Sequence, residues 1–322
     1  MATTTDEASS SSSRPRPRPP PPVRILIINP NTSQAMTDAL VPVVESLGFP
    51  AVQYAFFTSP TPGIPSINSP HDAAESARIC LPHLLPLLPH HDAFLVACYS
   101  QHPLVAQLKA ECAALTAAAT QGARGSGARK YVTGIFEASV VASLTLLGEP
   151  EKKQKTDDDD DKDVRPAFGI VSTGKVWEEA LQTAVAEFIG CPPTATTTKS
   201  PFVGCETTGL NASELHDLPA EQVRRKMKEA TTRLLRRGQI SSSSSSSSIK
   251  KNDQTPTTTS SADTLSRVQA ICLGCAGMVG LDSAVREACA ETLGPERARD
   301  VYIVDGVKAG VATLYGLARS AF

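Results

Sequence analysis

Short, unbroken apolar runs alternate along the chain with longer segments of helical spacing. VRILIINPN, from Val23, is an apolar run closed by a turn signal; SQAMTDALVPVVESLG after it has its apolar positions at helical intervals and stops at a glycine. Together they predict a strand leading into a helix. HDAFLVACYS, with a strand ending at Cys98, and HPLVAQLKAECAALTAAA repeat the pair. KYVTGIFEASVVASLTLLG, RPAFGIVSTGKVWEEALQTAVAEFIG, VQAICLGCAGM with LDSAVREACAETLG, and VYIVDGVKAGVATLYGLARSAF continue it. Strands that are apolar on both faces, each followed by a helix, belong to parallel sheet covered by helices on both sides. The expected fold class is therefore α/β.

Three segments break the pattern because they hold too little apolar surface to pack: the Ser/Pro tail at 1–22, the Asp-rich run at 151–163, and the serine run with its polar sequel at 241–263. A low-complexity insertion is tolerated where both its ends reach the surface, so the internal two predict surface loops. The milder ALTAAATQGARGSGARK reads as a helix end followed by a flexible link.

With 322 residues and 41% apolar content, the chain is long enough for one large domain or two smaller ones. A formal net charge of −2, with no basic stripe among aromatics, argues against a nucleic-acid partner. Arg14, Arg16 and Arg18, interleaved with proline, belong to an extended tail. No run approaches a membrane span and the first residues lack the apolar stretch of a secretory signal, so the expectation is a cytoplasmic protein with no membrane partner. The eight cysteines are then reduced thiols rather than a disulfide framework.

Ligands of parallel α/β sheets collect at the carboxyl ends of the strands. The residues there are Asn29, Asn31, Thr32 and Ser33; Cys98, Tyr99 and Ser100; Glu137 and Ser139; Ser172 and Thr173; and Cys275, Ala276 and Gly277. Loops leading into helices present free N–H groups and a positive dipole end, which favour anions. A thiol so placed is expected to titrate below its usual value of about 8.5, which would make Cys98 and Cys275 usable bases near neutral pH. Cys275, between Gly274 and Gly277, sits where the backbone bends and a ligand can approach.

Each of these residues also has a plainer reading. Asn31, Thr32 and Ser33 suit a helix cap as well as a ligand, and a cysteine taken singly is more often a small buried hydrophobe. Cys272 and Cys275 form a C-x-x-C, but a redox pair normally opens a helix and Cys272 lies inside an apolar strand. No second cysteine pair or nearby histidine completes a zinc set, so no metal is expected. His102 is close enough in sequence to Cys98 for a Cys/His nucleophile, or else it caps or faces solvent. Glu137 is either a helix N-terminal charge or part of the site. Cys80, Cys112, Cys191 and Cys289 read as packing, Cys205 has no assignment, and VGCETTGLN at 203–211 reads as a loop that lines a pocket or merely turns.

NPNTS after the first strand, ACYS after a later one, GIFEAS, GIVSTG, and LGCAGM near the end together resemble the aspartate/glutamate/hydantoin racemase superfamily, and within it the hydantoin and allantoin racemase branch. The resemblance runs from about Val23 to Phe322 outside the insertions, and NPNTS with GCAGM is its most specific part. It implies two similar parallel-sheet α/β halves related by a pseudo-dyad, with the active site in the cleft between them and no cofactor. The first half would comprise 23–128 joined by the returning strand and helix at 300–322, and the second 129–299. Carried over by motif, Cys98 and Cys275 would be the two bases on opposite faces of the substrate's α-carbon, since inverting a stereocentre needs removal from one face and delivery to the other. Backbone amides around Tyr99, Ser100, Thr173, Ala276 and Gly277 would receive the enolate oxygen, with Asn31, Thr32, Glu137 and Ser172 as further substrate contacts.

The sequence departs from the family pattern in an informative way. Tyr99, Ser100, Gln101, His102 and Pro103 stand where bacterial hydantoin and allantoin racemases carry Phe-Gly-Asp-Pro. Tyr-Ser and Ala-Gly stand where the amino-acid racemases carry Asn-Thr and Thr-His. The expected small-molecule substrate is therefore a cyclic ureide of purine catabolism, a 5-substituted hydantoin or allantoin, rather than a free amino acid. The alternatives are a cysteine-dependent isomerase, decarboxylase or amidohydrolase, and a ligand-binding regulatory protein without turnover. A homo-oligomer is compatible with this architecture.

Overall fold

The computed structural model describes residues 20–121, 129–149, 164–191, 200–240 and 265–321. The insertions expected at 151–163 and 241–263, the link at 122–128 and the tail through residue 19 lie outside the described residues. The first part of the chain runs β1 (Val23–Asn29), α1 (Gln34–Glu45), β2 (Val52–Thr58), α2 (Pro70–Leu84), β3 (Ala93–Val96), α3 (Pro103–Gln121), β4 (Tyr131–Gly134) and α4 (Ile135–Leu146). The second part runs β5 (Val164–Ser172), α5 (Val176–Phe188), β6 (Phe202–Thr207), α6 (Glu214–Asp217), α7 (Ala220–Ile240), β7 (Leu265–Gly274), α8 (Asp282–Leu293), α9 (Pro295–Arg299), β8 (Tyr302–Asp305) and α10 (Gly306–Ser320).

All the strands pair in parallel, in two four-stranded sheets ordered β2-β1-β3-β4 and β6-β5-β7-β8. The second order is the first one repeated, so the halves are related by a pseudo-dyad that matches β1 with β5 and β3 with β7. The period-two alternation of the strands explains how both faces are filled. Leu26, Ile28, Phe94 and Val96 pack against Ala77, Leu84, Leu104 and Leu108 of the outer helices α2 and α3. Ile25, Ile27 and Leu95 point the other way, into a core shared with Phe168, Ile170, Ala270 and Cys272 of the second sheet. Val171, Val268, Ile271 and Leu273 cover the outer face of that sheet together with α7 and α8. Fully burying side chains of this size is worth roughly 1.5–3 kcal/mol each, and the shared inner core is what binds the halves into one body.

The inner helices are exchanged between the halves. α4 follows β4 of the first sheet but lies against β7 and β8 of the second, whereas α10 follows β8 and lies against β1, β3 and β4. The two helices pack on each other through Gly306, where a Cβ would lie 2.7 Å from the Ile135 carbonyl oxygen, and Gly310 seats α10 on β3, where a Cβ would strike Leu95.

This arrangement corrects the expected boundaries. β4, placed by sequence at the start of the second half, pairs with β3 in the first sheet. β8, expected to return to the first half, pairs with β7 in the second sheet, and only α10 returns. The reason is backbone pairing: β4 and β8 satisfy their N–H and C=O groups as edge strands of the sheets whose central strands β3 and β7 lie beside them, and only the helices cross. The segment 203–211, expected as a loop, contains most of β6. A register shift opposite Phe168 and Gly169 bulges β6 at Val203, and Gly204, with φ of 125°, takes a conformation that side chains disfavour. Among the described residues no helix is long and apolar enough to cross a membrane, and no group of three or more His, Cys, Asp or Glu is placed to hold a metal ion.

Candidate active site

β3 ends at Val96 and β7 at Gly274, and the chain leaves each sheet there through a cysteine, Cys98 and Cys275. Both cysteines line one pocket between the halves, of about 400 Å³ counting its mouth. The lining matches up across the dyad. Asn31 after β1 answers Thr173 after β5, and Met36 in the first turn of α1 answers Trp177 in the first turn of α5. Ile67 before α2 answers Ala212 before α6, and Ala97, Cys98 and Tyr99 answer Gly274, Cys275 and Ala276. No charged side chain is among them.

Local packing explains how the sequence holds these positions. Gly274 is required by close approach: a Cβ there would lie 2.8 Å from Ser172 Cβ and 2.9 Å from the Val171 carbonyl oxygen. Ser172 reinforces the contact by donating its hydroxyl to the Gly274 carbonyl at 2.7 Å. On the first half, Asn31 Oδ1 accepts from Asn29 Nδ2 at 3.0 Å and from the Ser33 N–H at 2.9 Å, while Ser33 caps α1 by accepting from the Met36 N–H at 3.3 Å. Asn31 thus both braces the turn and lines the pocket; the capping duty falls to Ser33. Thr32 donates its backbone N–H to Ile64 and lies outside the lining. The buried Tyr99 hydroxyl meets Ser139 Oγ at 2.7 Å, and Ser139 in turn donates to the Phe136 carbonyl at 2.9 Å, so the phenol is anchored to α4. Cys272 is fully buried with its sulfur 3.0 Å from Ser143 Oγ, which makes it a core contact between β7 and α4 rather than a redox partner of Cys275.

Of the other expected site residues, Ser100 sits beside the first thiol, its Oγ 3.5 Å from Cys98 Sγ. Its N–H turns back to the Cys98 carbonyl at 3.1 Å. The Gly277 N–H donates to Cys275 Sγ at 3.3 Å. Those two amides are therefore engaged, and the N–H groups of Tyr99 and Ala276, next to each thiol, enter none of the hydrogen bonds formed by loops and caps among the described residues. Glu137 lies in the first turn of α4 behind the pocket wall, with Oε2 buried and without a hydrogen-bond partner. His102 is buried between Ser76 Oγ, 3.0 Å from Nε2, and the Leu104 N–H, which donates to Nδ1 at 3.3 Å. With Nδ1 accepting, the proton resides on Nε2, and burial pulls the imidazole down to about 4. It braces α2 against the start of α3 and does not partner Cys98.

The thiols titrate in the direction opposite to the one expected. Burial pushes Cys98 up to about 12; Ser100 opposes the rise, while Cys275 and Glu137 add to it. Burial pushes Cys275 up to about 11 against the Gly277 N–H. Only a single three-residue 3-10 turn, Ala276–Met278, follows Cys275, and α3 starts at Pro103, several residues past Cys98. Neither sulfur therefore sits on the amides of a full helix N-terminus, and desolvation prevails. Sequence reasoning missed Met36, Ile67, Trp177 and Ala212, because apolar residues near helix starts look like core. Aligning the two halves on their strand ends would have exposed them, since Met36 then falls over Trp177.

Two pseudosymmetric α/β halves with a thiol at each equivalent strand end define a class, and sequence comparison agrees. Residues 25–241 match the Asp/Glu/Hydantoin racemase family, and the chain belongs to that family, one of enzymes of the isomerase class. An uncharacterized protein of Schizosaccharomyces pombe, C1F7.10, is 28% identical over 295 residues, 92% of each chain. Two solved structures share the fold. An allantoin racemase from Klebsiella pneumoniae gives a TM-score of 0.59 at 21% identity, over 93% of this chain and 89% of that one. An allantoin racemase from Pseudomonas fluorescens gives 0.61 at 18% identity, over 93% and 92%.

Proposed function

We propose that this protein racemises a cyclic ureide, a 5-substituted hydantoin or allantoin, using Cys98 and Cys275 as opposed acid and base on one carbon. The observation that carries the reading is the placement of both thiols, from equivalent strand ends, on a single pocket. One thiolate removes the α-proton, and the other thiol delivers a proton to the opposite face of the planar enolate. The N–H groups of Tyr99 and Ala276 are free to meet the enolate oxygen as charge develops.

The lining supports a neutral substrate. A free amino acid would bring an ammonium and a carboxylate into a pocket that offers neither an acidic nor a basic side chain, and burying them unpaired is costly. A ureide ring carries only amide-like donors and acceptors, which Asn31 and Thr173 can satisfy, while Met36, Ile67 and Trp177 supply apolar wall. The elevated thiols are strong bases present in small amounts, a pairing suited to a carbon acid whose α-proton is already acidified by flanking carbonyl and nitrogen. The reading requires no cofactor.

The test is optical. Each enantiomer of allantoin and of a series of 5-alkyl and 5-aryl hydantoins is incubated with the protein and its circular dichroism followed. Decay of the signal to zero from both starting enantiomers supports the reading. An unchanging signal with bound ureide in a titration replaces it with the binding-protein alternative, and release of carbon dioxide or of a ring-opened product replaces it with a decarboxylase or amidohydrolase.

A further inference from the structure

The two thiols occupy equivalent points of the dyad but do not face equivalent neighbours. Val96 pairs with Gly134 and Leu273 pairs with Asp305, and each of these partners is the N-cap of the helix that follows, α4 or α10. Three residues past each cap stand Glu137 in α4 and Lys308 in α10. Equivalent positions therefore carry opposite charges.

Capping explains why only one of these charges turns inward. Asp305 caps α10 with its own side chain, accepting from the N–H groups of Val307 at 2.8 Å and Lys308 at 3.1 Å, and Lys308 is left exposed. Gly134 has no side chain to offer, and the Glu137 carboxylate folds back over it. The missing Cβ makes room for it, since a Cβ on Gly134 would collide with Oε2. That oxygen is buried without a hydrogen-bond partner; burial raises the carboxylate, opposed by Lys109, and the carboxylate adds to the rise that burial imposes on Cys98. Cys98 is thus faced by Ser100, Cys275 and Glu137, whereas the group held against Cys275 is the Gly277 N–H.

We propose that Glu137 is a positioning residue that sets which thiol ionises first: its carboxylate keeps Cys98 as the proton donor and leaves Cys275 to carry the thiolate. The proposal rests on the two-thiol racemase reading and adds a polarity to it. In the reactive form Cys275 S⁻ takes the α-proton and becomes S–H, while Cys98 S–H delivers its proton to the opposite face and becomes S⁻. A turnover in the reverse sense restores both. The first thiolate to form is then the one that serves the enantiomer whose α-hydrogen faces Cys275.

The test is the rate of alkylation of each cysteine by iodoacetamide in the full-length protein, followed by the mass of its peptide. It needs no substrate, so its outcome is independent of whether any ureide is racemised. The expected result is that wild-type Cys275 is labelled severalfold faster than Cys98 at pH 8, because the Gly277 N–H favours the Cys275 thiolate and the unpartnered Glu137 carboxylate opposes that of Cys98. Glu137→Gln, at matching far-ultraviolet circular dichroism, speeds Cys98 severalfold and leaves Cys275 unchanged; Glu137→Asp, which keeps the charge, gives a ratio between the two. The proposal is overturned if Cys98 leads in the wild type, a comparison that needs no variant, or if folded Glu137→Gln leaves the ratio of the two rates unaltered.

Discussion

The two halves share their strand order and the position of one cysteine, yet they build the surroundings of that cysteine differently. In the second half Gly274 precedes the thiol and β5 presses against it, with Ser172 tied to the Gly274 carbonyl. In the first half Ala97 takes the same place, a buried tyrosine follows the thiol, and a carboxylate lies behind it. What is repeated is the framework that brings a sulfur to each side of the cleft. What differs is the packing and charge that tune each sulfur, so the dyad specifies geometry and leaves chemistry free to diverge.

The hardest test of the equivalence is to remove one thiol at a time. Cys98→Ser and Cys275→Ser should each lower racemisation by about 10²–10⁴-fold, the usual contribution of a positioned acid or base, with the fold kept in both. A variant that inverts both enantiomers at close to the wild-type rate would end the symmetry argument. Next in size is the pH response. Because both thiols lie above their ordinary value, the thiolate fraction grows with pH, and kcat/KM should climb about tenfold per unit between pH 7 and 9, with no descending limb from His102.

A smaller effect sharpens the contrast in packing. Gly274→Ala must force β5 and β7 apart, at a cost of about 1–3 kcal/mol, and it displaces Cys275 enough to lower the rate by up to about 10²-fold. Ala97→Gly at the equivalent place should cost only about 0.5–1 kcal/mol and little activity. Thermal melts with initial rates compare the two.

The last prediction concerns stability alone. His102 is held neutral, at about 4 against an ordinary 6.5, so the unfolded chain binds its proton more readily than the native one. The stability is therefore intact above pH 6.5 and is lost as pH falls toward 4, by about 3 kcal/mol at 1.36 kcal/mol per unit. Denaturant melts across that range should show the slope in the wild type and lose it in His102→Asn, with kcat/KM keeping its pH profile. A shift of the activity profile in that variant would return His102 to the site.

The central strands were legible because β1, β3, β5 and β7 are apolar on both faces, as strands inside a parallel sheet must be. Edge strand β2 is only partly buried along its length, and β6 is interrupted by a bulge at Val203; neither carries an unbroken apolar signal. The exchange of α4 and α10 is invisible to any local pattern, because it depends on which sheet a helix reaches after leaving its strand. The cysteines stood out by their place at strand ends and by the motifs around them. Met36, Ile67 and Trp177 did not, since a pocket wall and a core wall are made of the same residues. The direction of the thiol shifts depends on how many amides surround each sulfur and how much water is excluded, which only the folded arrangement defines.

The central claim is that two thiols work on opposite faces of one carbon. Its most direct test is hydrogen–deuterium exchange at the α-carbon of each allantoin and 5-substituted hydantoin enantiomer in deuterated water, for the wild type, Cys98→Ser and Cys275→Ser. The account predicts that the wild type incorporates deuterium with inversion from both enantiomers and that each variant inverts them at least about 100-fold more slowly. Ureide binding by the wild type without any α-proton exchange would contradict it.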